Sequence, residues 1–310
     1  MNWRGVIPAI TTPFAADDSV DHAFLAEHCR WLADSGSVGI VPLGSLGEGA
    51  TLSFEEKLAV LETVVGAVGD RLPVVPGIAA LSTREAVQLA QAAKAAGASG
   101  LMVLPPYVYP ADWRELKAHI DAVLRATDLP AMLYNNPPAY RLDFLPEQIA
   151  LLAGEHPNLA AVKESSADIR RITAIRALLG ERLEILMGVD DGIVEGVQAG
   201  AVGWIAGLVN AFPEESVALF ELALAARAGG DRTGLEALYR WFLPLLRLDI
   251  GPKFVQMIKL TQELAGHGSA RVRAPRLELV GEELEATSHV VGKALAERPT
   301  RGQVAAGGAL

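Results

Sequence analysis

The residue best suited to covalent chemistry in this 310-residue chain is Lys163. The other six lysines, at positions 57, 94, 117, 253, 259 and 293, fall on segments with helical spacing, where a solvated charge is the ordinary reading. Lys163 alone follows an apolar run that reads as a buried strand, Leu159-Ala160-Ala161-Val162. Burial penalises the ammonium form, so the pKa should fall and the neutral amine become available. A neutral amine facing a cleft attacks carbonyl carbon and forms a Schiff base. The competing reading is a structural lysine paired with Glu164 or Asp190. Tyr134 ends the preceding apolar run, Ala131-Met132-Leu133. Adjacent strands lie about 4.8 Å apart, so the two side chains can meet if both face inward. A phenol with a pKa of about 10 keeps its proton at neutral pH and can relay it while a carbinolamine forms and dehydrates. A core ring with a satisfied hydroxyl is the alternative for Tyr134.

Gly44-Ser45-Leu46-Gly47-Glu48 is a glycine-flanked turn. Such turns expose successive backbone N–H groups that suit a small anion such as a carboxylate, with the Ser45 hydroxyl as a further donor. The spacing of a phosphate loop is absent, and glycine turns also serve geometry alone. Metal chemistry has little support. The six histidines, at 22, 28, 119, 156, 267 and 289, include no H-x-H or H-x-x-x-H pair, so no metal site is expected. Asp190-Asp191 reads as a helix cap rather than a cation site. No Ser-His-Asp set can be placed at one point.

These residues need elements to hold them. Eight short apolar runs, at 6–11, 38–43, 74–78, 100–104, 131–134, 159–163, 183–188 and 202–205, alternate with helical segments at 20–35, 54–68, 82–96, 111–127, 146–154, 168–179, 190–199 and 213–228. Near-continuous apolar runs suit parallel strands covered on both faces. Ser53 with Glu56, and Ser82 with Glu85, have capping-box spacing. Pro213-Glu214-Glu215 suits a first helical turn, and Gly36, Gly97, Gly180 and Gly200 stand just past helix ends. The alternation predicts an α/β fold, a (β/α)8 TIM barrel over 1–228, rather than an open doubly wound sheet, since no G-x-G-x-x-G follows the first run. Further helices at 232–247, 253–266 and 276–297 form a C-terminal helical extension over 229–297, and 298–310 reads as a flexible tail. In such a barrel the active site lies at the carboxyl ends of the strands. Catalytic candidates there are Lys163, Tyr134 and Ser45; substrate-contact candidates are Thr12, Leu46, Asn136, Gly188, Ile205 and, in the loop after the fourth strand, Tyr109.

Composition narrows the partners. Lys plus Arg is 27 against 37 for Asp plus Glu, a net charge of -10 that repels phosphate backbones, so no nucleic-acid partner is expected. Hydrophobic residues make up 51%, enough for a large core. The single cysteine, Cys29, excludes an internal disulfide and reads as a small core residue on a helix. No signal-peptide pattern and no apolar stretch near 18 residues are seen, so no membrane span is expected and the cytoplasm is the expected compartment.

The segments Gly5-Val6-Ile7-Pro8-Ala9-Ile10-Thr11-Thr12-Pro13-Phe14, Gly44-Ser45-Leu46-Gly47-Glu48, Tyr134-Asn135-Asn136-Pro137 and Val162-Lys163-Glu164 together resemble the dihydrodipicolinate synthase / N-acetylneuraminate lyase family. The resemblance implies a class I Schiff-base mechanism on small 2-oxo acids, without metal or organic cofactor, and a homotetramer built as a dimer of dimers. It implies Lys163 as the imine-forming lysine, Tyr134 as the proton relay, and the Ser45-Leu46 turn as the seat of the substrate carboxylate. Two departures point away from the family's synthase branch. The position expected for its second relay tyrosine is Val108, between Tyr107 and Tyr109, and the position expected for its carboxylate-binding arginine is Ala139, two residues before Arg141. Tyr134 to Tyr140, Lys163 to Ser166, 207–213 and 241–246 are most similar to the branch of 1-pyrroline-4-hydroxy-2-carboxylate deaminases of hydroxyproline breakdown. That branch implies release of ammonia and 2-oxoglutarate semialdehyde from a cyclic imine. A pyruvate-dependent aldolase or synthase is the alternative.

Overall fold

The computed structural model of the protein describes residues 1–300. Seven parallel strands form one sheet: β1 Gly5–Pro8, β2 Gly77–Ile78, β3 Leu101–Val103, β4 Ala131–Asn135, β5 Leu159–Glu164, β6 Glu184–Met187 and β7 Gly203–Ala206. Their order is β1-β7-β6-β5-β4-β3-β2. Residues 38–42 close the ring. Val38 N and Val41 N donate to Val6 O and Pro8 O at 3.0 and 2.8 Å, while Val75 N and Gly77 N donate to Ile40 O and Pro42 O at 2.9 and 2.8 Å. The expected second strand is therefore present, but as the isolated bridges Ala9↔Val41 and Ile40↔Val74 rather than a continuous ladder. Prolines at 8, 42, 73 and 76 supply no N–H and interrupt the pairing there. The result is a closed α/β barrel.

The helices are α1 His22–Asp34, α2 Phe54–Val68, α3 Thr83–Ala95, α4 Trp113–Arg125, α5 Pro137–Tyr140 and α6 Pro146–Glu155. They continue with α7 Arg170–Leu179, α8 Ile193–Ala199, α9 Pro213–Arg227, α10 Thr233–Leu246, α11 Phe254–Leu264 and α12 Gly281–Ala296. The Ser53–Glu56 capping box forms in full, and Ser82 Oγ accepts from Glu85 N. Gly36, Gly97, Gly180 and Gly200 all have positive φ, as C-terminal caps require. The short helix α5 was not expected. It is capped by Asn136, whose side chain accepts from Ala139 N.

Side chains alternate along each strand, and the alternation divides the core in two. Ile7, Met102, Met132, Ala161, Leu186 and Ile205 point into the barrel, while Val6, Val103, Leu133, Val162, Ile185 and Trp204 pack against the surrounding helices. Tyr134 and Lys163 lie two residues beyond Met132 and Ala161, on the same inner face. Val255 and Ile258 of α11 join the inner cluster, so the C-terminal extension packs into the barrel rather than beside it.

Three expectations change. The last helix begins at Gly281, not 276, leaving Arg276 in a turn. Residues 298–300 are not a loose tail, because Arg298 Nε donates to the buried Glu215 carboxylate at 2.6 Å and Pro299 is buried; the rest of the expected tail lies outside the described residues. Lys259 is not a solvated helical lysine. It is buried within α11 and paired with Glu48 at 2.6 Å. Cys29 is buried on α1, and burial pushes its thiol up to about 12.

Candidate active site

Tyr134 of β4 and Lys163 of β5 are directly opposed across the parallel ladder. Lys163 Nζ stands 4.0 Å from the centre of the Tyr134 ring. Lys163 is buried, yet its amine makes no ion pair among the described residues. Both candidate partners are engaged elsewhere. Glu164 points to the other side of β5, where it accepts from Asn135 Nδ2 at 3.0 Å and Ser166 N at 2.7 Å. Asp190 accepts from Gly207 N, Leu208 N and the Trp204 indole at 2.7–3.1 Å, which ties the end of β6 to that of β7. Asp190 does not cap α8; it opens a single 3-10 turn, Asp190–Gly192. Burial, the largest influence on Asp190, pushes its carboxyl up to about 6, while the Leu208 and Gly207 amides, the indole and Lys163 pull the other way.

Lys163 opens into a cavity of about 490 Å³. Ser45, Leu46, Tyr134, Asn136, Gly188 and Ile205, all marked by sequence, line it. At Gly188 a Cβ would lie 2.1 Å from Ser165 Oγ and 2.6 Å from Lys163 Cε, so only glycine leaves the lysine its position. The amide of Asn136 is oriented by its own bonds. Its Oδ1 accepts from Ala139 N at 3.1 Å, so its Nδ2 is the group that donates to the Tyr134 phenol oxygen at 2.8 Å. The phenol proton is thereby left free to point into the cavity.

Tyr140 completes the constellation. Its hydroxyl makes a short hydrogen bond with Ser45 Oγ, and its ring packs edge-on to Tyr134 at 5.7 Å. Burial, chiefly, with the neighbouring Tyr134, holds the Tyr140 hydroxyl protonated well above the ordinary phenol range. Asn135 anchors the loop that carries it: Phe144 N donates to Asn135 Oδ1 at 3.0 Å, and Asn135 Nδ2 donates to Glu164. Tyr107 lies 5.6 Å from the Tyr140 ring.

Two expected contacts are placed elsewhere. Thr12 sits behind the Ser45 turn, and its hydroxyl donates to Gly47 O at 2.6 Å, so it supports the turn without lining the cavity. Tyr109 is 52% exposed on the loop surface, because the chain turns outward after Pro106 and it is Tyr107 that faces Tyr140. Among the cavity residues that sequence did not single out, Tyr140, Asp249 and Arg276 carry titratable groups. The last two come from the C-terminal extension, and nothing local marks them. Glu48 in the turn has positive φ and is held by the Lys259 ammonium and by Arg273 N at 3.1 Å. The apolar neighbours of Lys259, Ile258 and Leu260, were the available signal of its burial.

Asp121, Glu155 and His156 approach one another closely enough to suggest a metal, but the Lys117 ammonium bridges Asp121 and Glu155 at 2.7 and 2.5 Å, supplying the compensating charge. A groove between α1 and α9, lined by Trp31, Glu215, His267 and Arg298, is comparable in size, but no lysine lines it, and the Ser35 hydroxyl on its wall donates to Trp31 O at 2.8 Å. The chemistry therefore converges on Lys163.

The family model described as the dihydrodipicolinate synthetase family matches residues 2–294. The chain belongs to that family. Among relatives, the 4-hydroxy-tetrahydrodipicolinate synthase of Geotalea daltonii is 35% identical over 278 residues, covering 88% of this chain and 92% of the relative. That of Agrobacterium fabrum is 34% identical over 285 residues, covering 92% and 95%. Dihydrodipicolinate synthase from Aquifex aeolicus superposes with a TM-score of 0.88 at 29% identity, covering 96% of this chain and 99% of that structure. YagE, a prophage protein of the dihydrodipicolinic acid synthase family from E. coli K12 solved with pyruvate, superposes with a TM-score of 0.87 at 27% identity, covering 94% and 99%. This dihydrodipicolinate synthetase family member is an enzyme, a lyase of the class I aldolase type. Among the described residues no helix is long and apolar enough to cross a membrane.

Proposed function

We propose that Lys163 forms a Schiff base with a small 2-oxo acid or cyclic imine carboxylate, and that the preferred substrate is 1-pyrroline-4-hydroxy-2-carboxylate. The observation that carries this reading is the buried Lys163 amine, without an ion pair and 4.0 Å from the ring of Tyr134. No metal or organic cofactor is required, because the protonated imine is itself the electron sink. The substrate carboxylate would sit on the Ser45-Leu46 turn. Ala139 and Arg276 line the same cavity.

In the proposed course the Lys163 amine adds to the C=N carbon, and the ring nitrogen leaves as a primary amine. The resulting iminium acidifies the neighbouring C3–H. A proton passes through the Tyr134 hydroxyl, and the 4-hydroxyl departs as water. The unsaturated amine tautomerises to an imine at C5. Hydrolysis of that imine and of the lysine adduct consumes two waters and releases ammonia and 2-oxoglutarate semialdehyde. One water is lost and two are gained, so the net reaction is a hydrolytic deamination.

The relatives named as 4-hydroxy-tetrahydrodipicolinate synthases favour a second reading, condensation of pyruvate with an aldehyde. Alanine at position 139 speaks against it, since the synthase branch resembled in sequence places its arginine there. Borohydride trapping separates the readings. The protein is incubated with the hydroxypyrroline, pyruvate or a keto-sugar acid, reduced, and mapped by peptide mass. We expect the hydroxypyrroline adduct on Lys163, ammonia release from the unreduced reaction, and neither in Lys163→Ala. An adduct on another residue, or turnover in Lys163→Ala, would end the mechanism. The same reading includes a homotetramer, which sedimentation checks.

A further inference from the structure

The C-terminal extension delivers one carboxyl group into the Lys163 cavity. Asp249 ends the 3-10 turn Arg247–Asp249 that follows α10, and it lines the cavity together with Lys163 and Gly207. The fold makes room for it at the end of β7. A Cβ at Gly207 would lie 2.4 Å from Asp249 Oδ1, so any side chain there would displace the carboxyl. Unlike Asp190, which is fully engaged by two backbone amides and the indole, Asp249 receives no side-chain hydrogen bond or ion pair among the described residues. Both of its oxygens are open to a ligand. It reaches the cavity from the C-terminal extension, whereas Tyr134 belongs to β4 and Ser45 to the turn beyond 38–42.

We propose that Asp249 is a further catalytic residue, a carboxylic acid that protonates the departing 4-hydroxyl and then removes a proton from C5 of the lysine-bound substrate. This assignment rests on the deaminase reading above. Burial, with Asp190 beside it, holds the Asp249 carboxyl well above the usual carboxylate range, which supplies the proton that the step needs. With C2 bound to Lys163 and the substrate carboxylate on the Ser45 turn, the C4–C5 end is the part of the molecule left to face other walls of the cavity. The electron pair of the enamine C2=C3 bond expels the C4–O bond, and the oxygen takes the Asp249 proton and leaves as water. The conjugated iminium now acidifies C5–H. The Asp249 carboxylate takes that proton, the C5 electron pair moves into C4=C5, and C3 regains a proton through Tyr134. Asp249 begins and ends the cycle protonated, so no additional acid or base is consumed. A structural counterion for Lys163 would behave differently, because it would affect formation of the adduct itself.

The test uses Asp249→Asn, with Asp249→Ser as a second variant, each confirmed folded by circular dichroism. Three quantities are read with the hydroxypyrroline: borohydride-trapped adduct on Lys163, exchange of C3–H with deuterated water by NMR, and ammonia release. We expect ammonia release to fall about 100-fold or more, the range typical of a lost general acid or base, while adduct and exchange stay within about threefold of wild type. Trapping of 1-pyrroline-2-carboxylate, which lacks the 4-hydroxyl, should not change. Ammonia release within about threefold of wild type in a folded variant overturns the assignment alone. Loss of adduct and exchange along with turnover also overturns it, assigning Asp249 to Lys163 instead. If wild type forms no adduct with the hydroxypyrroline, the deaminase reading falls and this assignment falls with it.

Discussion

Replacing Lys259 with methionine should cost roughly 3–5 kcal/mol of stability, the range for breaking a buried pair by removing one partner. The Lys259 and Glu48 side chains are 2% and 0% exposed, and their charged atoms lie 2.6 Å apart. Lys259 Nζ also donates to Arg271 O at 2.6 Å and stands 4.3 Å from the centre of the Phe14 ring. Methionine ends one heavy atom short of the ammonium but keeps the unbranched shape and much of the volume, so the loss is mainly charge and hydrogen bonding. What remains around Glu48 is one backbone amide, Arg273 N at 3.1 Å, and Arg276 at 3.8 Å. Those contacts offset part of the desolvation, which argues for the lower half of the range. Even that is a large share of the roughly 5–15 kcal/mol that stabilises a typical domain. Burial is the largest influence on Lys259 and holds its ammonium below the ordinary range despite the carboxylate, so Glu48 does not fully offset the desolvation of the lysine. The double variant Lys259→Met with Glu48→Gln should therefore regain at least half of the loss. Urea unfolding of both single variants and the double variant completes the cycle. Because Glu48 ends the turn that carries Ser45, the single variant should also bind substrate more weakly. A single-variant cost below about 1 kcal/mol would refute the argument, for it would mean that Glu48 is satisfied without the ammonium.

Two other perturbations follow from the geometry. Gly188→Ala places a methyl group 2.6 Å from Lys163 Cε and 2.1 Å from Ser165 Oγ, so borohydride trapping should fall at least tenfold while thermal unfolding shifts by only a few degrees; trapping at the wild-type level would contradict the packing described. The His28 imidazole, buried and donating to Asn210 Oδ1 at 2.9 Å, is pulled down to about 4, mainly by burial. Its unfolded form takes up a proton below about pH 6.5 and its folded form only near 4, so this contribution is intact above 6.5 and falls with pH through that window. The loss is about 3 kcal/mol between pH 7 and pH 4, from about 1.4 kcal/mol per pH unit. Urea unfolding of His28→Gln should show a shallower pH dependence than wild type, and an equal slope would assign the effect to other groups.

The local features of this enzyme were legible because they depend on a few neighbouring residues. The Ser53 and Ser82 caps, the glycines after helices and the apolar runs are set by backbone hydrogen bonding and side-chain bulk within one or two turns of chain. The meeting of Tyr134 with Lys163 was legible for a related reason. Consecutive runs in a β/α alternation become adjacent parallel strands, and strand parity then places side chains two apart on one face. Only the tertiary structure decided what surrounds the amine. Asp249 and Arg276, which line the cavity, and Lys259, which holds Glu48 of the Ser45 turn, are distant in sequence from the barrel loops they meet, and α11 brings them there by burying Val255 and Ile258 against the barrel interior. The choice of Tyr140 and Tyr107 over Tyr109 was likewise tertiary, since it follows from the loop anchored by Asn135 and from the short helix capped by Asn136. Side-chain type announces what chemistry is possible, whereas which groups share a desolvated cavity depends on long-range packing that no local pattern encodes.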